Sequence, residues 1–237
     1  KRISNMLTEK DFPFLAQKGH VVSLVGGGGK TTLLYAMAAH CARKSWRVLV
    51  MTTTHIRQPA ACYAPDDAAV AALWQNGSYA VIGTPAENGK LTMPQPQLLR
   101  WMEQADIVLV EADGAKCRPC KAPAAHEPVI LPQSDVILAV AGLSALGRPL
   151  REVCFRAELA SKLLAVPQDT PVTPGLLAQL LADENGGRKN VGKRCFLAVL
   201  NQADLLQFRQ LGTQTQLELQ KLGVHSVWTR FEEGERA

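Results

Sequence analysis

The stretch Val21-Val22-Ser23-Leu24-Val25-Gly26-Gly27-Gly28-Gly29-Lys30-Thr31-Thr32-Leu33-Leu34 decides the fold. A short, mostly β-branched run enters four consecutive glycines, and after Lys30 the residues Leu33, Leu34, Met37, Ala38 and Cys41 form an apolar stripe at helical spacing. Strand, glycine loop and helix in that order predict a phosphate loop. Glycines let the backbone turn so that successive N–H groups converge on phosphate oxygens, and the positive end of the next helix adds to the attraction. The predicted nucleotide-binding residues here are Gly26, Gly27, Gly28, Gly29, Lys30, Thr31 and Thr32. Lys30 is the charge for the β and γ phosphates, and the Thr31 hydroxyl is a ligand for Mg2+.

The usual pattern, G-x-x-x-x-G-K-[S/T], has a glycine where this chain has Leu24. The shorter G-x-x-G-K-T-T, opened by Gly26, fits instead and resembles the phosphate loop of the Mur-type amide ligases. A glycine turn that binds nothing is the plainer alternative. The strand before the loop and the helix after it speak against that.

Further apolar runs recur at 20–25, 47–52, 79–83, 107–110, 135–140 and 196–200. Runs of this kind, apolar on both alternating faces, predict strands buried in a parallel sheet. Helical segments lie between them. Asp66 caps an alanine-rich helix closed by Asn76-Gly77, and Thr173-Pro174 opens a leucine-rich helix stopped by Asn185-Gly186-Gly187. Later, Gly212-Thr213 separates two short amphipathic pieces, Gly223 ends the second, and 224–228 offers a last strand. The predicted fold class is α/β and P-loop NTPase-like, a mostly parallel twisted sheet with helices on both faces. With no linker of the proline or serine type, 1–237 is expected to be a single nucleotide-binding domain with a helical excursion at about 143–192.

Ile107-Val108-Leu109-Val110-Glu111-Ala112-Asp113-Gly114 is an apolar strand that ends in two carboxylates. Spaced two apart, Glu111 and Asp113 are expected at the carboxyl edge of the sheet, where ligands bind. With Thr31 they form the predicted metal set, and with Lys30 the predicted catalytic set; one carboxylate holds Mg2+ while the other orients a water or accepts a proton. A proline-studded basic loop follows. Its Lys116, Arg118, Lys121, His126 and Glu127, together with His55 at the end of Thr52-Thr53-Thr54-His55, form a candidate set for a second, anionic substrate. Cys117 and Cys120 make a lone C-x-x-C, read as two incidental thiols because no second pair exists and Pro119 stands between them. Asn201-Gln202-Ala203-Asp204 resembles the guanine-reading N-K-x-D element of GTPases, with Gln202 in place of lysine; a helix N-cap at Asp204 is the competing reading.

Composition sets the outer bounds. The 237 residues are 47% hydrophobic and 20% charged, an ordinary globular mixture. The longest uncharged stretch, 68–86, is broken by Gln75-Asn76-Gly77-Ser78, so no membrane span is expected. Twenty-six basic against 21 acidic residues leave +5, a surplus suited to a small anion. The tryptophans are dispersed rather than interleaved with basic residues, and no nucleic-acid partner is expected. Six scattered cysteines and no leader pattern predict a reducing cytoplasm.

With these residues in hand, the chain resembles the YqeC family, described as accessory proteins of selenium-dependent molybdenum hydroxylases. The carriers are 25–32, Thr52-Thr53-Thr54-His55, and Val110-Glu111-Ala112-Asp113-Gly114-Ala115-Lys116 continuing through Arg118-Pro119, Lys121-Ala122-Pro123 and His126-Glu127-Pro128. The resemblance implies a cytoplasmic protein that binds ATP or GTP with Mg2+ and helps mature a selenium-containing molybdenum cofactor. Two functional classes follow, an NTPase or phosphoryl-transfer enzyme, and a nucleotide-dependent scaffold that docks the molybdenum enzyme or cofactor without significant hydrolysis.

Overall fold

A computed structural model of the chain describes residues 7–203 and 206–229. They fall into two compact units, one built from 7–24, 31–113 and 129–136, the other from 25–30, 114–128 and 137–229.

The first unit carries β1 (His20–Gly26) as far as Leu24, α1 (Lys30–Arg43) from Thr31 on, β2 (Val48–Thr52), β3 (Ile56–Arg57), α2 (Asp67–Gln75), β4 (Ala80–Val81), β5 (Thr84–Ala86), β6 (Lys90–Thr92), α3 (Pro96–Leu99) and β7 (Ile107–Glu111). β1, β7, β2 and β4 lie side by side in that order, every pair parallel. β2 and β7 are buried at every position, as strands covered on both faces must be. On one face Leu49 and Met51 of β2 join Val108 and Val110 of β7, Val70 of α2 and Leu98 of α3, and Trp74 and Trp101 pack edge to face at 5.3 Å beside them. Burying each such aliphatic side chain contributes about 1.5–3 kcal/mol. The predicted caps are in place at α2: Asp66 accepts from the Ala69 N–H at 2.8 Å, and Gly77 follows in the left-handed region.

Two details differ from the sequence reading. The run 79–83 contributes only the two residues of β4. β3, β6 and β5 form a separate antiparallel sheet whose two- and three-residue strands are too short to show a period.

The second unit carries β8 (Cys120–Lys121), β9 (Val136–Gly142), α4 (Leu150–Val153), β10 (Cys154–Phe155), α5 (Ala157–Leu164), α6 (Pro174–Ala182), β11 (Cys195–Asn201), α7 (Leu206–Lys221) and β12 (Ser226–Trp228). β12, β11 and β9 are neighbours in that order, with β11 and β12 parallel. β8 and β10 form a two-residue parallel pair. The segment 143–192 holds α4, α5, α6 and the short β10. Thr173 accepts from the Leu176 N–H at 3.2 Å and Pro174 opens α6, as its sequence requires.

At the end of the chain, 206–221 is one helix, with no break at Gly212-Thr213. Gly212 is there for packing: a Cβ would stand 3.1 Å from Leu143 Cδ1 and 3.2 Å from the Trp228 ring. Thr213 stays in the helix with its hydroxyl donating back to the Arg209 carbonyl at 3.0 Å. The protein is thus α/β with a mostly parallel central sheet, as predicted. Among the described residues, no helix is long and apolar enough to cross a membrane.

Candidate functional site

The glycine loop begins where β1 ends. Gly26, Gly28 and Gly29 have φ of +95°, +73° and +98°, in the region L side chains rarely adopt. Space is as restrictive as torsion. A Cβ on Gly26 would lie 2.3 Å from the Val140 carbonyl oxygen, one on Gly27 2.6 Å from that of Arg118, and one on Gly28 2.1 Å from the Gly142 nitrogen. Gly26, Gly27 and Gly28 therefore bring the loop against β9 and the 114–128 segment of its own unit, and Gly29 faces the Asn201 side chain.

Contact uses some of the loop's hydrogen-bonding capacity. The Gly27 N–H donates to the Val140 carbonyl at 2.8 Å and the Gly28 N–H to that of Arg118 at 3.0 Å. Of the amides expected to converge on phosphate, these two are engaged inside the protein. At the turn that opens α1, the first N–H groups lie outside the helix's i→i−4 ladder. Lys30, buried, donates from Nζ to the Gly26 carbonyl at 2.6 Å and so lies across the loop.

Asn201, the last residue of β11, steadies the loop. Asn201 Nδ2 donates to the Gly28 carbonyl at 2.8 Å while its Oδ1 accepts from the Thr229 hydroxyl at 2.9 Å. Gln202 accepts from Ser144 at 2.5 Å. Both ends of the Asn201 amide, predicted to read a base, are thus hydrogen-bonded inside the protein. Asp204, its predicted companion in reading a base, lies outside the described residues.

In the first unit, Thr31 Oγ1 donates to Glu111 Oε2 at 2.7 Å. The register that produces this is specific: Glu111 ends β7 opposite Leu24 of β1 on one side and Thr52 of β2 on the other. Thr52 Oγ1 and the Thr53 N–H both donate to the Glu111 carbonyl, at 2.9 and 3.1 Å, fixing the backbone beneath the carboxylate. Asp113 is buried two residues past the strand end. Thr54 Oγ1 is buried with no hydrogen-bond partner among the described residues, on the same edge. Hydroxyl and carboxylate oxygens meeting here are the donor set a hard divalent cation takes, so the residues fit Mg2+.

The predicted second-substrate set divides. His55 is exposed at the turn after β2, and His126 is exposed in the 114–128 loop. The Arg118 guanidinium is tied to the Glu152 carbonyl. Lys121 and Glu127 form a buried ion pair at 2.8 Å, their side chains 1% and 8% exposed, and Lys121 also donates to the Gly114 carbonyl at 2.7 Å. Arg156, just before α5, donates to the same Glu127 carboxylate at 2.5 Å. Burial works against ionising Glu127, but the hydrogen bonds from Arg156 and Lys121 outweigh it and hold the carboxyl at about 2. Lys116 completes the cluster over the Phe155 ring, 5.4 Å from its centroid.

Sequence reasoning missed Arg156, Phe155 and Thr229. Arg156 lies 29 residues from Glu127 with no motif around it, and only the β8–β10 pairing brings them together. The C-x-x-C pair diverges: Cys117 is exposed, whereas Cys120 is buried opposite Cys154, and none of the six cysteines forms a disulfide. A hydrogen bond to Cys154, together with burial, pushes the Cys120 thiol well up.

A family model described as "YqeC protein" matches residues 22–158, which contain the glycine loop, Glu111, Asp113 and the Lys121–Glu127–Arg156 cluster. A relative from Escherichia coli (strain K12), carrying the printed name "Uncharacterized protein YqeC", is 32% identical over 185 residues, 74% of this chain and 72% of the relative.

Proposed function

The chain belongs to the YqeC family, and on that premise we propose that it binds a nucleoside triphosphate, ATP or GTP, together with Mg2+ on its glycine loop. It acts as a P-loop NTPase or phosphoryl-transfer protein in maturing the cofactor of a selenium-dependent molybdenum hydroxylase, the role that the family resemblance implies. The observation that carries the nucleotide reading is the 2.7 Å hydrogen bond from Thr31 to Glu111. The hydroxyl that follows the loop lysine and the carboxylate that ends the neighbouring strand are 80 residues apart in sequence, yet they meet at the sheet edge where such proteins hold their metal.

Phosphoryl transfer depends on positioning and charge neutralisation more than on covalent chemistry. Lys30 supplies a cation, the opening turn of α1 supplies N–H donors, and Thr31 with Glu111 and Asp113 supplies oxygen ligands. Those oxygens would hold Mg2+, which would supply charge neutralisation to the phosphates. Calorimetric titration with ATP and with GTP in the presence of Mg2+ tests the binding, and phosphate release tests the turnover. Lys30→Ala should abolish turnover, and unchanged turnover in that variant would overturn the reading. Nucleotide-dependent capture of the molybdenum enzyme without phosphate release would favour the docking role instead.

A further inference from the structure

We infer that the side chains gathered on Phe155 form a second anion site, distinct from the glycine loop, that takes the phosphoryl group of a small phosphomonoester. Three cations surround one ring: Arg156 at 4.3 Å from its centroid, Lys116 at 5.4 Å and Lys121 at 5.8 Å. Three positive charges this close repel one another, and the Glu127 carboxylate offsets part of that repulsion by pairing with Lys121 and Arg156. A phosphomonoester dianion, which carries two charges and offers oxygens on several sides, suits a guanidinium fork flanked by two ammonium groups better than a monocarboxylate does.

Cluster geometry is fixed before any ligand arrives. Glu127 grips Lys121 and Arg156 together, and the Gly114 carbonyl holds Lys121 a second time. Arg156 donates from Nη1 to Glu127, one of the five N–H donors of a guanidinium whose planar fork suits phosphate oxygens. Access comes from the outer side: Lys116 is exposed and the Arg156 side chain is 20% exposed, whereas Lys121 lies at the floor with 1%. Within the same unit, Cys120, the residue before Lys121, packs against Gly27. A strand of two residues therefore joins this site to the glycine loop.

The catalytic meaning of the site rests on the nucleotide reading, as an acceptor position beside the donor; its capacity to bind does not. The test is calorimetric titration of the full chain with inorganic phosphate, glycerol 3-phosphate and acetate. Arg156→Gln, Lys116→Gln and Lys30→Ala are titrated beside the wild type, and ATP–Mg2+ binding is followed in each. The expected result is phosphate binding that survives Lys30→Ala, weakens at least tenfold in Arg156→Gln and severalfold in Lys116→Gln. Glycerol 3-phosphate should bind at least as tightly as phosphate, and acetate at least tenfold more weakly. Phosphate affinity unchanged in Arg156→Gln, or lost entirely in Lys30→Ala, overturns the proposal, as does exclusion of the monoester. If Arg156→Gln does not fold, exposed Lys116 carries the same test, and unchanged affinity in Lys116→Gln overturns it. Absence of ATP binding in the wild type would sink the nucleotide reading alone and leave this site standing.

Discussion

Asn201 donates its side-chain amide to the carbonyl of Gly28 across 2.8 Å, joining the end of β11 to the middle of the glycine loop. The loop's shape is held from β11 as well as from the strand that leads into it. Removing the amide would strand two buried groups, the Gly28 carbonyl and the Thr229 hydroxyl. Asn201→Ala should therefore lower stability by about 2 kcal/mol in denaturant unfolding, a net effect larger than one exposed hydrogen bond would give. A cost under about 0.5 kcal/mol would show the contact to be incidental.

Glycines in the left-handed region separate into two kinds. Gly28 has φ +73° and no room for a Cβ, while Gly77 has φ +69° and nothing within 4 Å. Gly77→Ala should cost about 1 kcal/mol, the backbone term alone. Gly28→Ala must also displace the backbone at Gly142, and should cost well over about 3 kcal/mol or prevent folding. Thermal unfolding of the pair checks this, and equal costs would refute the packing role.

Glu111→Gln keeps an oxygen that can accept from Thr31 but loses the charge. Its melting temperature should stay close to the wild type, while the gain in nucleotide affinity on adding Mg2+ should shrink at least tenfold. Titration with and without Mg2+ reads this, and an undiminished gain would assign the metal to Asp113.

Glu127 makes stability depend on acid. Its carboxyl is held at about 2, below the ordinary 4.5, so the folded state favours the ionised form. That contribution is complete above pH 4.5 and disappears as pH falls toward 2; by linkage it is on the order of 3 kcal/mol. Urea unfolding at intervals between pH 5 and pH 2.5 should show a steep fall in the wild type and a shallower one in Glu127→Gln. Parallel slopes would disprove the assignment.

The residues that the sequence exposed are those whose chemistry is local. The run from Val21 to Thr32 carries strand, turn and helix in consecutive residues, and Asp66 and Thr173 cap helices within three positions. Pairing over long distances was less visible. The buried β7 identified Glu111, but only the three-strand register shows its carbonyl held by Thr52 and its carboxylate by Thr31. Arg156 has no local signature, because its partner Glu127 is reached through a two-residue strand pair. Gly212 misled for a related reason: in sequence a glycine reads as a break, and here the ring of Trp228, folded back from the next strand, uses the missing Cβ.

The pairing of Cys120 with Cys154 gives the molecule its own internal clock. Cys117 and Cys195 are exposed, whereas Cys120 and Cys154 are buried, and the Cys120 backbone lies under Gly27. A thiol reagent should modify the outer pair at once and reach the inner pair only when the floor of the loop opens. The slow phase at Cys120 and Cys154, read by mass spectrometry apart from that of buried Cys41, then measures how often the phosphate loop lets go of its support, and a bound anion that tightens the loop should lengthen it.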